Sequence, residues 1–220
     1  MPSDLALALD QLKPRYAVEN ACRLRQSRVK RAIDILGSAF GLIFLLPLFI
    51  LIALAIRLES PGPALFRQRR TGLDGRVFKI LKFRSMRVSE DGDEIAHATQ
   101  GDGRTTAVGR FLRKSCIDEL PQLFNVLAGE MSLVGPRPHA LAHDRYYGDI
   151  LPTYVARFAA KPGITGLAQI RGFRGEIRRI EDMSSRVASD LDYIANWSPI
   201  ADIKILLKTF ILGPFNPSAY

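Results

Sequence analysis

The chain has 220 residues, 47% hydrophobic and 24% charged, with 31 Lys and Arg against 22 Asp and Glu for a formal net charge of +9. That length fits one compact domain with an appendage and excludes two full domains. Two cysteines and three histidines are too few for a disulfide framework and argue against a zinc or haem centre, while the excess of cations calls for an anionic partner: nucleic acid, an anionic lipid surface or a phosphorylated substrate.

Residues 1–28 read as a polar leader, with a short amphipathic segment over 3–13 that Pro14 ends. Residues 35–56 then run 22 positions without a charge. About 20 apolar residues in helical form cover a hydrocarbon core of roughly 30 Å. The run starts too far from the N-terminus for a signal peptide and has no small-residue cleavage site behind it. On length alone it is a spanning helix. Pro47 falls in its middle, where a proline removes a helical hydrogen bond and kinks the chain at a cost of about 3 kcal/mol. Arg23, Arg25, Arg28, Lys30 and Arg31 precede the run, and Arg57, Arg67, Arg69 and Arg70 follow it. Basic flanks mark the cytoplasmic side, and one crossing cannot place both flanks there. A proline-kinked re-entrant helix over 29–58, with Pro47 as its hinge, satisfies both ends.

Glu59-Ser60-Pro61-Gly62-Pro63 is a breaker cluster and opens a cytoplasmic domain over 59–220. Residues 65–70 and 76–83 are β-prone and flank the Asp74-Gly75 turn region 71–75, which predicts a hairpin. Residues 90–104 are charged, Gly-rich and aperiodic, a loop that is either a solvated excursion or an active-site flap. Helices are predicted over 108–114 and 119–127, the latter stopped by Gly129, and over 152–160 and 176–197. Residues 199–212 put Ile200, Ile203, Leu206, Leu207 and Phe210 on one face against Asp202, Lys204 and Lys208, a stripe suited to the core or to a bilayer interface. No internal repeat is visible. The fold class is α+β, predominantly helical.

Phosphate chemistry needs positive charge, rigid backbone and an oxygen ligand for a metal. The central third offers all of these. Arg104, Arg110, Arg113 and Lys114 precede Asp118-Glu119, and Arg137 follows between Pro136 and Pro138. Prolines on both sides restrict the backbone, which holds a guanidinium ready for a bidentate phosphate contact; a surface ion pair is the plainer role. The acidic pair, read as the start of the 119–127 helix with Pro121 in its first turn, either complements the helix dipole or supplies a nucleophile or magnesium ligand at Asp118. Cys116 has no histidine near it in sequence, so a thiol nucleophile is set aside.

From Lys30 to Tyr220, about six-sevenths of the chain, the sequence resembles the monotopic bacterial phosphoglycosyl transferases. The matching blocks are Ser60-Pro61-Gly62-Pro63, Phe66-Arg67-Gln68, Lys79-Ile80-Leu81-Lys82-Phe83-Arg84-Ser85-Met86 and Val108-Gly109-Arg110-Phe111-Leu112-Arg113. They continue with Asp118-Glu119-Leu120-Pro121-Gln122, Asn125-Val126-Leu127, Met131-Ser132-Leu133-Val134-Gly135-Pro136-Arg137-Pro138 and Lys161-Pro162-Gly163-Ile164-Thr165-Gly166. Several ordered blocks make a specific match, unlike a lone motif.

The resemblance implies a monotopic protein on the cytoplasmic face of the bacterial inner membrane, with a re-entrant helix, a small β-hairpin and interfacial amphipathic helices. It implies a two-step reaction: Asp118 takes a hexose 1-phosphate from a UDP-sugar, releasing UMP, and passes it to undecaprenyl phosphate. Asp118 and Glu119 are the implied catalytic pair and Mg2+ ligands; Arg113, Arg137, Lys82 and Arg84 are the implied phosphate-binding set. Gly172-Phe173-Arg174-Gly175-Glu176 and the helix over 186–197 look most like members that transfer glucose 1-phosphate, such as those that initiate exopolysaccharide, capsule or O-antigen assembly. Relatives of that type often carry an N-terminal extension of transmembrane helices and a nucleotide-fold domain, and this chain resembles their catalytic portion alone. Expected partners are the two substrates, anionic inner-membrane lipids, a second copy of the chain in a homodimer, and downstream glycosyltransferases; nucleic acid is not expected. Leu46 stands where the family commonly has serine before the kinking proline, and Cys116-Ile117 replaces Ser/Thr-Leu. The competing reading is a non-catalytic, membrane-tethered scaffold for glycan-assembly enzymes.

Overall fold

A computed structural model describes residues 14–87, 103–173, 175, 177 and 179–212. The amphipathic segment predicted over 3–13 and nearly all of the loop predicted over 90–104 lie outside the described residues.

Three helices come first: α1 (Pro14–Gln26), α2 (Arg28–Phe44) and α3 (Leu46–Glu59). The leader is thus not all leader, because α1 packs on a later helix and buries Ala21 and Leu24 in the main core. Ser27 separates α1 from α2 and caps α2, its hydroxyl accepting from the Lys30 amide at 3.2 Å.

The buried face of α2 is polar. Lys30, Asp34 and Ser38, spaced by one helical turn, are buried, whereas Leu36, Phe40, Ile43 and Phe44 are about 70% exposed or more. Lys30 donates to Asp202 at 2.8 Å, to the Val134 carbonyl at 3.0 Å and to the Tyr193 hydroxyl at 3.1 Å. Asp34 accepts from the Ser132 hydroxyl and the Leu133 amide, both at 2.9 Å. Arg31 donates to the Val126 and Leu127 carbonyls. Two of the basic flank residues, Lys30 and Arg31, are therefore structural fasteners rather than free charges. Helices α2 and α3 meet at Leu45 with a bend of 61°, and no single described helix is long and apolar enough to cross a membrane. Pro47 sits in the first turn of α3 rather than in a helix interior, so its missing N–H leaves no broken interior bond.

Strands β1 (Leu65–Thr71) and β2 (Val77–Phe83) form the predicted antiparallel hairpin, in register from Leu65 opposite Phe83 to Thr71 opposite Val77. Asp74 takes a left-handed conformation in the turn, φ 56°, and its carboxylate pairs with Arg25 at 2.6 Å. The inward row of β2 is Phe78, Ile80 and Lys82. Asn125 grips this strand from outside, donating to the Lys79 carbonyl at 2.8 Å and accepting from the Leu81 amide at 2.9 Å.

Helices α4 (Ala107–Lys114) and α5 (Gln122–Ala128) follow, joined by a 3-10 turn at Ile117–Glu119, and Gly129 ends α5 with φ 85°. The helix predicted over 119–127 is corrected accordingly: Asp118 and Glu119 lie in the turn, ahead of the α-helix. Strand β3 (Ser132–Val134) pairs in parallel with β4 (Gly163–Thr165), flanking α6 (Leu141–Ile150) and a 3-10 stretch, Tyr154–Ala159, where an α-helix is predicted over 152–160. A Cβ on Gly135 would lie 2.3 Å from the Lys161 carbonyl oxygen, and one on Gly163 would lie 2.1 Å from the Gly135 nitrogen. The two short strands can approach only because both residues are glycine.

The last elements are α7 (Leu167–Ile170), α8 (Ile180–Ala195) and α9 (Pro199–Leu212). The helix predicted over 176–197 begins later, at Ile180, where the Asp182 carboxylate accepts from the Arg179 amide at 3.0 Å. α8 supplies Met183, Val187, Leu191 and Ile194 to the main core around Tyr154. α9 turns Asp202 and Ile205 inward and leaves Ile200, Ile203, Leu207, Phe210 and Ile211 exposed.

Candidate active site

Asp118 and Glu119 owe their position to the end of α4. That helix lies against the chain after β2 because Gly109 lacks a side chain; a Cβ there would be 2.0 Å from the Ser85 carbonyl oxygen. One turn later the Arg113 Nε donates to the Ser85 hydroxyl at 2.8 Å. Cys116 then adopts φ 58° and ψ 14°, a left-handed conformation that costs a non-glycine residue about 1–2 kcal/mol. It reverses the chain and starts the tight turn that carries the two acids.

Glu119 is buried at the centre of a cationic cluster. Its Oε1 accepts from Lys82 Nζ at 2.8 Å and from an Arg137 terminal nitrogen at 2.5 Å, and its Oε2 accepts from the other Arg137 nitrogen at 3.0 Å. The fork fixes the plane of the guanidinium. Lys82 reaches the cluster as the inward residue at the end of β2, and Arg137 as the central residue of Pro136-Arg137-Pro138, which leaves β3. Burial raises the Glu119 carboxyl, but the charges of Arg137 and Lys82 outweigh it and hold the group well below the ordinary carboxylate range. Asp118 behaves oppositely: burial raises its carboxyl, with the Glu119 charge adding to the rise and Lys82, Arg137 and Arg113 opposing it. The two neighbours are thus split, one a fixed counter-ion and the other a carboxyl held ready to form a bond.

The cluster unites Asp118, Glu119, Lys82 and Arg137, with Arg113 near enough to act on Asp118. Arg84 is elsewhere. Its guanidinium is buried against the C-terminal end of α3, donating to the Ser60 carbonyl at 2.7 Å and to the Pro61 and Ile56 carbonyls. Alternation along a strand would put Arg84, two residues past Lys82, on the same inward face, but β2 ends at Phe83 and Arg84, beyond it, turns toward α3 instead. Glu119 is paired with cations in place of a helix dipole, and Arg137 does form an ion pair, with the buried Glu119 as its partner. Sequence reasoning missed Ser85, which seats Arg113, and the buried Arg157–Asp190 pair, which no motif or spacing signalled.

Among the described residues there is no group of three or more His, Cys, Asp and Glu side chains that could hold a metal ion. Magnesium commonly takes one or two carboxylates plus substrate phosphates and does not require such a group. Asp118 and Glu119 would be its protein ligands, although both Glu119 oxygens already face cations. A carboxylate with two rigidly held cations beside it is equipped to attack a phosphorus atom whose charge those cations neutralise.

Residues 25–213 match the model of the bacterial sugar transferase family. A UDP-glucose:undecaprenyl-phosphate glucose-1-phosphate transferase of Caulobacter vibrioides is 57% identical over 180 residues, 82% of this chain and 67% of the relative. A protein of the same name in Escherichia coli is 50% identical over 192 residues, 87% of this chain but 41% of the relative. The exopolysaccharide production protein PSS of Rhizobium leguminosarum is 45% identical over 187 residues, 83% of this chain and 94% of the relative. The match thus spans about two-fifths of the Escherichia coli relative and nearly the whole of the Rhizobium one. With the acidic turn, the arginine between prolines and the glycine-dependent strand pair all in place, the chain belongs to the bacterial sugar transferase family.

Proposed function

We propose that the chain transfers glucose 1-phosphate from UDP-glucose to undecaprenyl phosphate, the step that initiates an exopolysaccharide, capsule or O-antigen. The observation that carries this reading is the split acidic pair: Glu119 locked between Lys82 and Arg137, with Asp118 beside it. The activity in the names of the glucose-type relatives supports the choice of sugar and acceptor.

In the first half-reaction an Asp118 carboxylate oxygen bonds to the β-phosphorus, and the bond from that phosphorus to the bridging oxygen breaks. UMP leaves with the electron pair, and the sugar phosphate stays on Asp118 as an acyl phosphate. In the second half an oxygen of undecaprenyl phosphate attacks the same phosphorus and the Asp118 carboxylate is released. Arg137, oriented by Glu119, holds the donor phosphates, with Arg113 and Lys82 adding positive charge where negative charge gathers. Magnesium, held by Asp118 and Glu119 together with the diphosphate, would supply further neutralisation of that charge.

The acceptor is a lipid, and the surface suits a monotopic position on the cytoplasmic face of the inner membrane. α2 turns polar residues inward and apolar ones outward, the reverse of a water-soluble helix, and α3 is apolar on its buried face (Phe49, Ile52, Ile56) and its exposed face (Leu46, Ile50, Leu51, Leu54) alike. α9 and Phe111 of α4, 65% exposed, extend the apolar surface, and exposed Arg110 and Lys114 sit beside Phe111 to meet anionic headgroups. The test is a panel of UDP-sugars with undecaprenyl phosphate and magnesium, read as UMP release. UDP-glucose should be the best donor; no release with any sugar would favour the scaffold.

A further inference from the structure

Behind Arg137 lies a second charged network that plays no part in the chemistry above. Arg157, from the 3-10 stretch Tyr154–Ala159, is 2% exposed, and Asp190, from α8, is 1% exposed. All three guanidinium nitrogens of Arg157 are engaged. Nε donates to Asp190 Oδ2 at 2.7 Å, one terminal nitrogen to the Arg137 carbonyl oxygen at 2.7 Å, and the other meets His139 Nδ1 at 3.0 Å. A guanidinium has no lone pair to offer, so in this contact His139 Nδ1 is the acceptor; the same nitrogen also stands 2.7 Å from the Tyr154 hydroxyl, which donates to Asp144.

The backbone around Arg137 shows why this grip matters. Pro136 and Pro138 have fixed φ angles, and the Pro136 carbonyl is held by the Gly163 amide at 2.9 Å. Pro138 also keeps the Arg137 Cα–C torsion extended, so the main remaining freedom is rotation about the Arg137 N–Cα bond, which turns the side chain together with the carbonyl. Arg157 holds that carbonyl and, through His139, the far end of the same short segment. An ion pair buried this deeply is seldom needed for stability, since apolar residues of similar volume serve as well; here the pair presents a planar hub in three directions.

Building on the transferase function proposed above, we infer that Arg157, held by Asp190, is a positioning residue for Arg137. It sets the direction from which Arg137 presents its guanidinium to Glu119 and to the donor diphosphate. Misplacing a group that must contact the reacting phosphates by about 1 Å costs on the order of 100-fold in rate.

Two variants test this. Arg157→Lys keeps a charge for Asp190 but offers its donors from one nitrogen instead of a planar fork, and the pair Arg157→Met with Asp190→Leu removes both charges at similar volume. Each is purified in detergent, checked by thermal melting, and assayed for UMP release from UDP-glucose, alone and combined with Arg137→Lys. A folded variant should lose about 10- to 100-fold in kcat/KM for UDP-glucose. In its background Arg137→Lys should cost less than threefold more, because an already misdirected guanidinium has little left to lose. Folded variants within threefold of wild type, or losses that simply multiply with that of Arg137→Lys, overturn the assignment. If neither variant folds, the pair is architectural and the assignment also fails. A wild type that releases no UMP defeats the transferase reading instead, so the two failures are distinguishable.

Discussion

Arg137→Lys isolates the fork at the centre of the site. Arg137 gives Glu119 two charge-assisted hydrogen bonds, one to each carboxylate oxygen, while Lys82 already occupies Oε1. A lysine at position 137 keeps the charge but can make only one such bond, and it has no plane to orient toward a phosphate. A hydrogen bond to a charged group contributes about 1.5–3 kcal/mol. The Glu119 bonds already exist in the free protein and cancel out of kcat/KM; losing one such bond to the donor phosphates, made only as the donor reacts, lowers kcat/KM by about 10- to 150-fold, at 1.36 kcal/mol per tenfold. The assay is initial-rate UMP release over a range of UDP-glucose concentrations at saturating undecaprenyl phosphate. Part of the loss should appear in kcat, because the fork aims Arg137 at charge that develops as phosphorus is attacked. An Arg137→Lys enzyme within threefold of wild type would refute this, reducing Arg137 to a diffuse positive charge.

Three other outcomes follow from the same geometry. Asp118 must be ionised to attack, and burial raises its carboxyl above the ordinary aspartate range, so turnover should fall as pH drops through a value above that range; a rate that is flat down to about pH 4 would contradict this. Lys30→Met leaves Asp202 buried without its ammonium partner and should cost about 3–5 kcal/mol, a drop of roughly 10 °C in melting temperature for a chain of this size; an unchanged melting temperature would show that the pair is dispensable. The proposed re-entrant path places exposed positions 28 and 63 on one side of the membrane, so Arg28→Cys and Pro63→Cys, in a chain without its native cysteines, should both resist an impermeant external reagent in intact cells. Adding Pro47→Leu should shift some chains toward a spanning path, and labelling of only one end in the parent would refute the re-entrant path.

Much of this arrangement was legible in the sequence where local chemistry decides structure. The hairpin followed from β-prone segments around a Gly-containing turn, and α9 from an apolar stripe over 199–212. Asp118, Glu119 and Arg137 stood out because acids, prolines and arginines cluster there. Other features depend on contacts that no local pattern reports. Cys116 takes a left-handed conformation that sequence gives no reason to expect, so the acids fell into a 3-10 turn instead of a helix. Arg84 was read with the phosphate ligands on the resemblance alone, yet β2 ends at Phe83 and Arg84 turns toward α3. Lys30 looked like a membrane-flanking charge, but its partner Asp202 is 172 residues away. Arg157 and Asp190, 33 positions apart, meet only through the tertiary fold.

The central claim is that Asp118 carries the sugar phosphate. Wild type given UDP-glucose and magnesium but no lipid acceptor should release UMP up to one equivalent and gain the mass of a hexose phosphate, located on Asp118 by peptide mass spectrometry. Asp118→Asn keeps the shape of the side chain while losing its charge and most of its nucleophilicity, so it should show neither event and yet retain its fold. An adduct on the Asp118→Asn protein would place the nucleophile elsewhere. A wild type that turns over with lipid but never carries the adduct would mean that the lipid phosphate attacks the donor directly.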